Sequence, residues 1–331
     1  MIPWIHVPDL SLWKFTLHPF GLLVATGVII GTWLATHRAR QRGLDLDKLN
    51  SFITWMLIVG FLGGHMLDEI FYHPSELVKR PWSIFFLWEG LSSFGGFTGA
   101  LIGIVLWKYF EAVPIRRTVF GTISKIRRRQ QVMPILPFAD LILSVFPVAW
   151  VFGRSGCSVV HDHPGMPAKH DTLLAVAFPA RPGAPNYGVS TDHVKHVFAG
   201  IDLVRGDAPQ FDLGLLEMMF TVILASLLAL TWRKKLTTGA YVAATALCYA
   251  PVRFAMDFLR IHESDNADPR YGHLTPAQWA CVALFAFGLV MIAHMQKIKA
   301  SGKDPLDLVS LPEALPLPVE GSFGEPAAGA P

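Results

Sequence analysis

The sequence is poor in charge and in cysteine. Only 16% of the 331 residues are charged, whereas a typical soluble domain has about 25%, and 52% are hydrophobic. The three cysteines lie in or beside apolar runs without CxxC spacing; they are Cys157, Cys248 and Cys281. This spacing indicates neither a disulfide framework nor a zinc knuckle, so each cysteine is interpreted as a small buried hydrophobe. The composition as a whole is typical of a polytopic membrane protein.

Two other features are missing. Residues 1–14 lack the basic segment and the small-residue cleavage site of a secretory signal peptide, so the first apolar run is expected to remain as a membrane span. The net charge is only +3, and the basic residues cluster beside apolar runs, where membrane topology already explains them. The sequence therefore predicts no nucleic-acid partner.

Long apolar runs are what the sequence does contain. A transmembrane helix needs about 17–25 mainly apolar residues, and seven runs fit: 19–38, 51–72, 93–110, 134–156, 213–232, 238–260 and 275–295. The third run is interrupted by Gly95, Gly96 and Gly99, and glycine is common where membrane helices or ligands approach closely. The predicted fold is an all-α polytopic membrane protein with seven transmembrane helices.

The charge of the connecting loops predicts the orientation in the membrane. More than half of the 28 Lys and Arg lie in four loops, around residues 38–48, 116–129, 233–235 and 297–303. The positive-inside rule places these loops in the cytoplasm. We therefore expect the N-terminus outside the membrane and the C-terminus in the cytoplasm.

The same orientation predicts three regions. A membrane domain is expected at 1–300, and it is interrupted at 161–210 by a small extracytoplasmic head between the fourth and fifth spans. A connection of this length inside a compact domain is usually functional. The segment 301–331 is rich in Pro, Ala, Gly and Glu, so it is expected to be a disordered cytoplasmic tail.

Ionisable residues inside two of the runs are candidate functional groups. Arg154 lies at the end of the fourth run, and an intramembrane arginine usually has a partner or an anionic ligand. In the sixth run, one helical face carries Tyr249, Arg253, Asp257 and Arg260. One interpretation is an ion-pair ladder that joins helices. The alternative is that Arg154 and Arg253 face one cavity and bind a phosphate through their planar guanidinium groups.

A second polar cluster directly follows the fourth run and comprises His161, Asp162, His163, His170 and Asp171. A His-x-His pair with nearby carboxylates could bind zinc, although the sequence has no HExxH motif. The other interpretations are a solvated polar loop and a part of a lipid-facing pocket. His65, near the outer end of the second run, either anchors a helix end at the interface or takes part in catalysis.

Short motifs occur in a fixed order along most of the chain. They are HPFGL at 18–22, LATHRA at 34–39, FLGG at 61–64, WEG at 88–90, FGG at 94–96, GRSG at 153–156, Asp162 with Gly165, and the segment 249–260. Together these motifs resemble the prolipoprotein diacylglyceryl transferase family, from about residue 18 to residue 294. The family also has seven spans, an outside N-terminus and an extracytoplasmic head between spans four and five.

The resemblance implies a reaction in the bacterial inner membrane. Diacylglyceryl would be transferred from phosphatidylglycerol to the thiol of a lipobox cysteine in a preprolipoprotein signal peptide, and glycerol phosphate would be released. The expected partners are therefore phosphatidylglycerol and other membrane lipids, and signal peptides with a lipobox. We expect no metal and no cofactor.

The resemblance also implies roles for individual residues. By motif, Arg154 and Arg253 match the family's essential arginines, and Tyr249 matches its tyrosine in the sixth span. Asp162 and Gly165 match its acidic residue and glycine after span four. The catalytic candidates are thus Arg154, Arg253, Tyr249, Asp162 and the neighbouring His161, and the candidates for substrate binding are Gly95, Gly96, Gly165, Glu217 and Arg260.

The chain departs from the family pattern at several positions. Phe94 replaces the histidine of a His-Gly-Gly motif, Phe20 replaces a tyrosine, and Cys157 replaces an asparagine. The stretch FDLGLLE at 211–217 stands where the family has HPSQLYE. The residues that would handle phosphate are retained, whereas those that would handle protons are replaced.

The missing histidine leaves the base and the reaction open. A thiol with an unperturbed pKa of about 8.5 must lose its proton before it attacks, so His161, Asp162 or His65 would have to act as the base. One alternative is a non-catalytic relative that binds phospholipid or lipoprotein signal segments through the same arginines. Another is a metal-dependent membrane hydrolase built on His161 and His163.

Overall fold

The computed structural model of the protein describes residues 1–12, 15–71, 73–86, 90–118, 121–179, 194–198, 201–204, 208–261 and 270–309. Within these ranges the chain forms eight α-helices: α1 (Pro19–Gln41), α2 (Leu46–Phe71), α3 (Pro74–Lys79), α4 (Ser93–Tyr109), α5 (Leu136–Val160), α6 (Leu213–Ala229), α7 (Ala240–Met256) and α8 (Pro276–Ser301). It also forms ten strands: β1 (Ile2–His6), β2 (Leu10–Leu12), β3 (Phe15–Leu17), β4 (Phe110–Thr118), β5 (Gly121–Arg128), β6 (Pro164–Pro167), β7 (Ala175–Phe178), β8 (Val194–Phe198), β9 (Ile201–Val204) and β10 (Ala208–Asp212).

Each of the predicted apolar runs forms a helix. Among the described residues, five helices are long and apolar enough to cross a membrane: α1, α2, α5, α8, and α7 with the 3₁₀ turn that extends it to Leu259. α4 and α6 are apolar but have only 17 residues each. The prediction of a polytopic membrane protein is confirmed, while the number of seven spans stays a prediction.

Glycines bring α2 and α4 into close contact. A Cβ atom at Gly63 would lie 2.7 Å from the Cα of Gly99, and one at Gly95 would lie 2.5 Å from the carbonyl oxygen of Gly63. The two backbones can approach this closely only because side chains are absent at these positions. The glycines that interrupt the third apolar run therefore serve helix packing.

Buried polar groups hold the N-terminal part of α5 against α7. The carboxylate of Asp140 is fully buried, and its Oδ1 accepts hydrogen bonds from the backbone N–H groups of Tyr241 (2.7 Å) and Val242 (3.1 Å) in the first turn of α7. Nearby, Arg38 of α1 donates to the hydroxyl of Ser144 (2.9 Å) and to that of Tyr241 (3.3 Å). These contacts join α1, α5 and α7 where unpaired polar groups would be costly.

The prediction of an all-α protein is wrong for the segment between α5 and α6. There the chain contributes to a six-stranded sheet in the order β6-β10-β7-β1-β9-β8. The N-terminal strand β1 lies in the middle of this sheet, parallel to β7 and antiparallel to β9. The head, defined from here on as this sheet, thus includes residues 2–6 as well as strands between residues 164 and 212, because backbone pairing joins distant parts of the chain.

A second departure from the all-α prediction is the hairpin of β4 and β5 between α4 and α5. The start of the predicted disordered tail is also ordered. Residues 305–308 form a 3₁₀ turn, and Val309 packs into the hydrophobic core beside α5. The rest of the predicted tail, 310–331, lies outside the described residues.

We predict that Asp140→Ala destabilises the protein more than Asp307→Ala. The first change leaves two buried N–H groups of α7 without their acceptor, which costs about 1–3 kcal/mol each, whereas Asp307 is exposed. Thermal unfolding of the purified protein in detergent measures the difference. Asp140→Asn retains the Oδ1 acceptor, so its effect should be smaller; equal melting temperatures for the two alanine variants would contradict this account.

Candidate active site

The carboxylate of Glu217 is the centre of a buried polar cluster at the head end of the bundle. Glu217 lies in the second turn of α6 and is only 4% exposed. Its Oε1 accepts hydrogen bonds from the Tyr249 hydroxyl of α7 (2.5 Å) and from Nε1 of Trp150 in α5 (3.1 Å). A single carboxylate therefore connects α5, α6 and α7.

Two arginines from different helices contact the same carboxylate. Nε of Arg154, in α5, lies 3.0 Å from Oε1 of Glu217, and Nε of Arg253, in α7, lies 3.9 Å from Oε2. The guanidinium of Arg154 also stacks over the ring of Trp150, with 4.8 Å to the ring centroid. The structure thus brings together the two arginines that the sequence analysis paired, and it shows Glu217 as the group between them.

The predicted ion-pair ladder is also present. Oδ1 of Asp257 lies 3.1 Å from Nη1 of Arg253 and 3.2 Å from Nε of Arg260. Its Oδ2 accepts a short hydrogen bond from the hydroxyl of Thr275, the residue that caps α8. Asp257, one turn after Arg253, therefore orients the Arg253 side chain and connects it to α8. The ion-pair ladder is compatible with a phosphate-binding role for Arg253.

In both arginines, one guanidinium nitrogen contacts no acceptor among the described residues. Within the part of the chain that the structure describes, Arg154 is paired through Nε to Glu217 and through Nη1 to Cys157, and Arg253 through Nε to Glu217 and Nη1 to Asp257. In both residues the nitrogen without a contact to those residues is Nη2. Two adjacent guanidinium groups with unused N–H donors match the oxygens of a phosphate.

Gly165 has a packing role that the sequence analysis did not predict. It forms a backbone bridge to Arg260, and a Cβ atom at this position would lie 2.6 Å from the carbonyl oxygen of Leu259. The amide of Gln210 donates to the Gly165 carbonyl (2.5 Å). Glycine at this position allows β6 to approach the end of α7 and so positions Arg260.

His161 has close contacts at both ring nitrogens. Nδ1 lies 2.6 Å from Oδ2 of Asp212 and Nε2 lies 3.0 Å from the carbonyl oxygen of Ile5, and the ring stacks on Trp4. These contacts occupy both ring nitrogens. The side chain therefore joins the head to α6, and its role as a base or metal ligand stays a prediction.

His65 has a similar arrangement. It is fully buried, with Nδ1 and Nε2 each 3.2 Å from a carbonyl oxygen, of Gly90 and Ser83 respectively. Both acceptors occupy its ring nitrogens, so the interpretation as an anchor at the helix end is the one that fits the contacts.

Asp162 lies with His163, its partner in the predicted polar cluster, and with Cys157, which was not part of that prediction. One of its oxygens is 3.6 Å from Nδ1 of His163, and the ligand atoms of both side chains lie within 4.8 Å of each other and of Sγ of Cys157. Nη1 of Arg154 is 3.6 Å from the same sulfur. Cys157 therefore links Asp162 to the arginine pair, although its sequence context indicated only a buried hydrophobe.

Gly95 and Gly96 lie on α4, at its contact with α2. The next residue, Phe97, contacts Trp150, the tryptophan that donates to Glu217, with ring centroids 5.2 Å apart. α4 therefore borders the cluster through Phe97, and direct binding of substrate by the two glycines stays a prediction. Residues 88–89 of the WEG motif lie outside the described residues.

These features define a helical membrane protein whose bundle holds a carboxylate-bridged arginine pair beneath a β-sheet head. A sequence model of the prolipoprotein diacylglyceryl transferase family matches residues 9–294. The chain belongs to this family, and the resemblance drawn from the motifs is confirmed.

Similar proteins cover nearly the whole chain. The relative from Pseudomonas putida is 26% identical over 305 residues, which is 91% of this chain and 98% of the relative. The relative from Janthinobacterium sp. (strain Marseille) is 24% identical over 89% of this chain and 99% of its own length, and that from Rhodopseudomonas palustris is 27% identical over 78% of each. Each is named a phosphatidylglycerol–prolipoprotein diacylglyceryl transferase.

We predict that Glu217→Ala strongly destabilises the bundle, because it leaves two arginines without their shared carboxylate. Removing one partner of a buried ion pair costs about 3–5 kcal/mol. Thermal unfolding in detergent measures the effect, and Glu76→Ala, at an exposed position of α3, is the matched control. Tyr249→Phe removes one hydrogen bond to Glu217 and should have a smaller effect. A Glu217→Ala protein as stable as the control would refute the central role of this carboxylate.

Proposed function

We propose that the protein transfers diacylglyceryl from phosphatidylglycerol to the lipobox cysteine of a preprolipoprotein and releases glycerol phosphate. The observation that carries this proposal is that Arg154 and Arg253 share one buried carboxylate and that Nη2 of each has no acceptor in the part of the chain that the structure describes. Membership of the family and the names of the relatives support the same reaction.

The arginine pair suits the charge that develops in this reaction. The thiolate attacks the glycerol carbon that carries the phosphate, and the C–O bond electrons leave with glycerol phosphate. The departing phosphate gains negative charge, so preorganised guanidinium groups in a water-poor site stabilise the transition state more than the bound lipid. In this proposal Arg154 and Arg253 are catalytic residues that contact the phosphate.

Glu217, Tyr249 and Asp257 act through the arginines in this proposal. A flexible arginine side chain loses conformational entropy when its guanidinium binds a phosphate. Contacts that orient the guanidinium before binding reduce this entropic cost. Glu217 orients both arginines, Tyr249 orients Glu217, and Asp257 orients Arg253. We therefore assign these three as positioning residues.

We further propose that all seven apolar helices cross the inner membrane, with the N-terminus and the head outside. The basic loops support this orientation by the positive-inside rule. At 1.5 Å per residue, the 17 residues of α4 or α6 span about 26 Å, and a bilayer adjusts to a small mismatch with its core of about 30 Å. The arginine pair would then lie towards the outer leaflet, near the translocated part of a preprolipoprotein.

We predict that the purified protein converts phosphatidylglycerol and a lipobox peptide into a thioether-linked lipopeptide and glycerol phosphate. Mass spectrometry of the peptide and an enzymatic assay of glycerol phosphate measure both products. A peptide with serine in place of the lipobox cysteine is the control. Binding of both substrates without product would favour the non-catalytic relative instead.

We also predict that Arg154→Lys and Arg253→Lys each lower kcat/KM by about 10²–10³-fold. Lysine keeps the charge but loses the planar fork and therefore the paired contacts to phosphate oxygens. Arg127→Lys, at an exposed position of the β4–β5 hairpin, is the control and should leave kcat/KM unchanged. Transfer rates in mixed micelles measure the effect, and near-normal rates in both site variants would contradict the phosphate role.

A further inference from the structure

Cys157, Asp162 and His163 form a compact group of metal-ligand side chains, called here the Cys157 cluster. Cys157 lies in the last turn of α5, and the chain leaves that helix through His161 in the left-handed conformation (φ 51°). This turn directs the next two residues back towards the helix end. As a result, Sγ of Cys157, a carboxylate oxygen of Asp162 and a ring nitrogen of His163 lie within 4.8 Å of one another.

The donor set fits zinc. Thiolate, imidazole and carboxylate are its protein ligands, at about 2.0–2.3 Å, so two donors of a tetrahedral site are about 3.3–3.8 Å apart. The 3.6 Å between Asp162 Oδ1 and His163 Nδ1 is already in this range. A small shift of the side chains would complete a three-ligand site, and three protein ligands with one open position are typical of catalytic rather than structural zinc.

Burial and charge are consistent with a metal that reacts with a substrate. Cys157 is buried, whereas the side chains of Asp162 and His163 are 40% and 35% exposed, so the cluster is open on one side. A thiolate and a carboxylate would neutralise Zn²⁺ together. Arg154, whose Nη1 is 3.6 Å from the Cys157 sulfur, would then stabilise the thiolate without a large repulsion from the metal.

The proposed transfer also needs a means of forming a thiolate. Of the three side chains considered as its base, Asp162 belongs to the Cys157 cluster, and the two histidines have contacts at both ring nitrogens. His161 and His65 each have acceptors at both ring nitrogens, and the Tyr249 hydroxyl donates to Glu217. A metal removes the need for a basic side chain, because a thiol that coordinates it is deprotonated.

We propose that the Cys157 cluster binds a zinc ion whose fourth position takes the thiol of the lipobox cysteine; this inference rests on the proposed function. On binding, the thiol loses its proton to water. The sulfur lone pair then forms the C–S bond to the glycerol carbon while the C–O bond to phosphate breaks, and its electrons leave with glycerol phosphate. The thioether product is a weaker ligand than the thiolate and departs. Arg154 contacts both the cluster and Glu217, so the two substrates would meet beside it.

Cobalt substitution tests the metal site without reference to activity. The full-length protein, stripped of metal by a chelator and kept in detergent, is titrated with Co²⁺. We expect one Co²⁺ per chain, visible bands of tetrahedral Co²⁺ and a near-ultraviolet thiolate-to-cobalt band. Cys157→Ser should lose the near-ultraviolet band, and Cys248→Ser, at an exposed cysteine, should keep it.

A second variant distinguishes loss of the metal site from misfolding of the Cys157→Ser protein. His163 is partly exposed, so His163→Ala should retain the circular dichroism of the parent while its affinity for Co²⁺ falls by more than about tenfold. Unchanged Co²⁺ spectra and affinity in both variants would overturn the proposal.

Addition of the lipobox peptide tests the role of the fourth position. We expect the thiolate-to-cobalt band to grow with the cysteine peptide and to stay constant with the serine peptide. Full transfer activity in the metal-free protein would overturn the zinc proposal and leave the proposed function intact. Growth of the band without product would support the metal site and contradict the transferase function.

Discussion

The carboxylate of Glu217 is the interaction on which the rest of the site depends. Arginines inside an apolar bundle are costly unless they are paired, and Glu217 pairs two of them at once. Because Arg154, Glu217 and Arg253 belong to α5, α6 and α7, satisfying this one requirement fixes three helices relative to each other. The ladder through Asp257 extends the network to the cap of α8. The groups suited to hold a phosphate are thus also groups that hold the bundle together.

The head and the far end of the bundle both support this arrangement. Asp212 caps α6 through the N–H of Leu215 and also accepts from His161, so the residue that starts α6 is attached to the end of α5 and to the head. At the other end of α5, Asp140 holds the first turn of α7. α5 therefore fixes α6 near its start and α7 along its length. Glu217 and Arg253 meet Arg154 because both ends of α5 are anchored.

The histidines show why chemistry cannot be assigned from residue type alone. His161 and His65 are the kind of residue that acts as a base, yet both are buried among acceptors that occupy their ring nitrogens. Cys157 shows the converse. Its apolar neighbours indicated a packing residue, whereas the fold places it between an arginine and two further ligand side chains. In each case the decisive contacts come from residues far apart in the sequence or across a turn.

The sequence by itself determined the apolar helices, the family, and the stripe of Tyr249, Arg253, Asp257 and Arg260, because hydropathy and helical periodicity are local properties. It also indicated that Arg154 and Arg253 belong together. Only the tertiary structure decided that Glu217 bridges them, that β1 lies in the middle of the head, that Gly165 is a packing glycine, and that Asp162 lies with Cys157. The first three are contacts between segments separated by tens to hundreds of residues, and they follow from how helices pack and strands pair, which no local pattern specifies. The contact of Asp162 with Cys157 spans only a few residues and depends on the left-handed turn at His161.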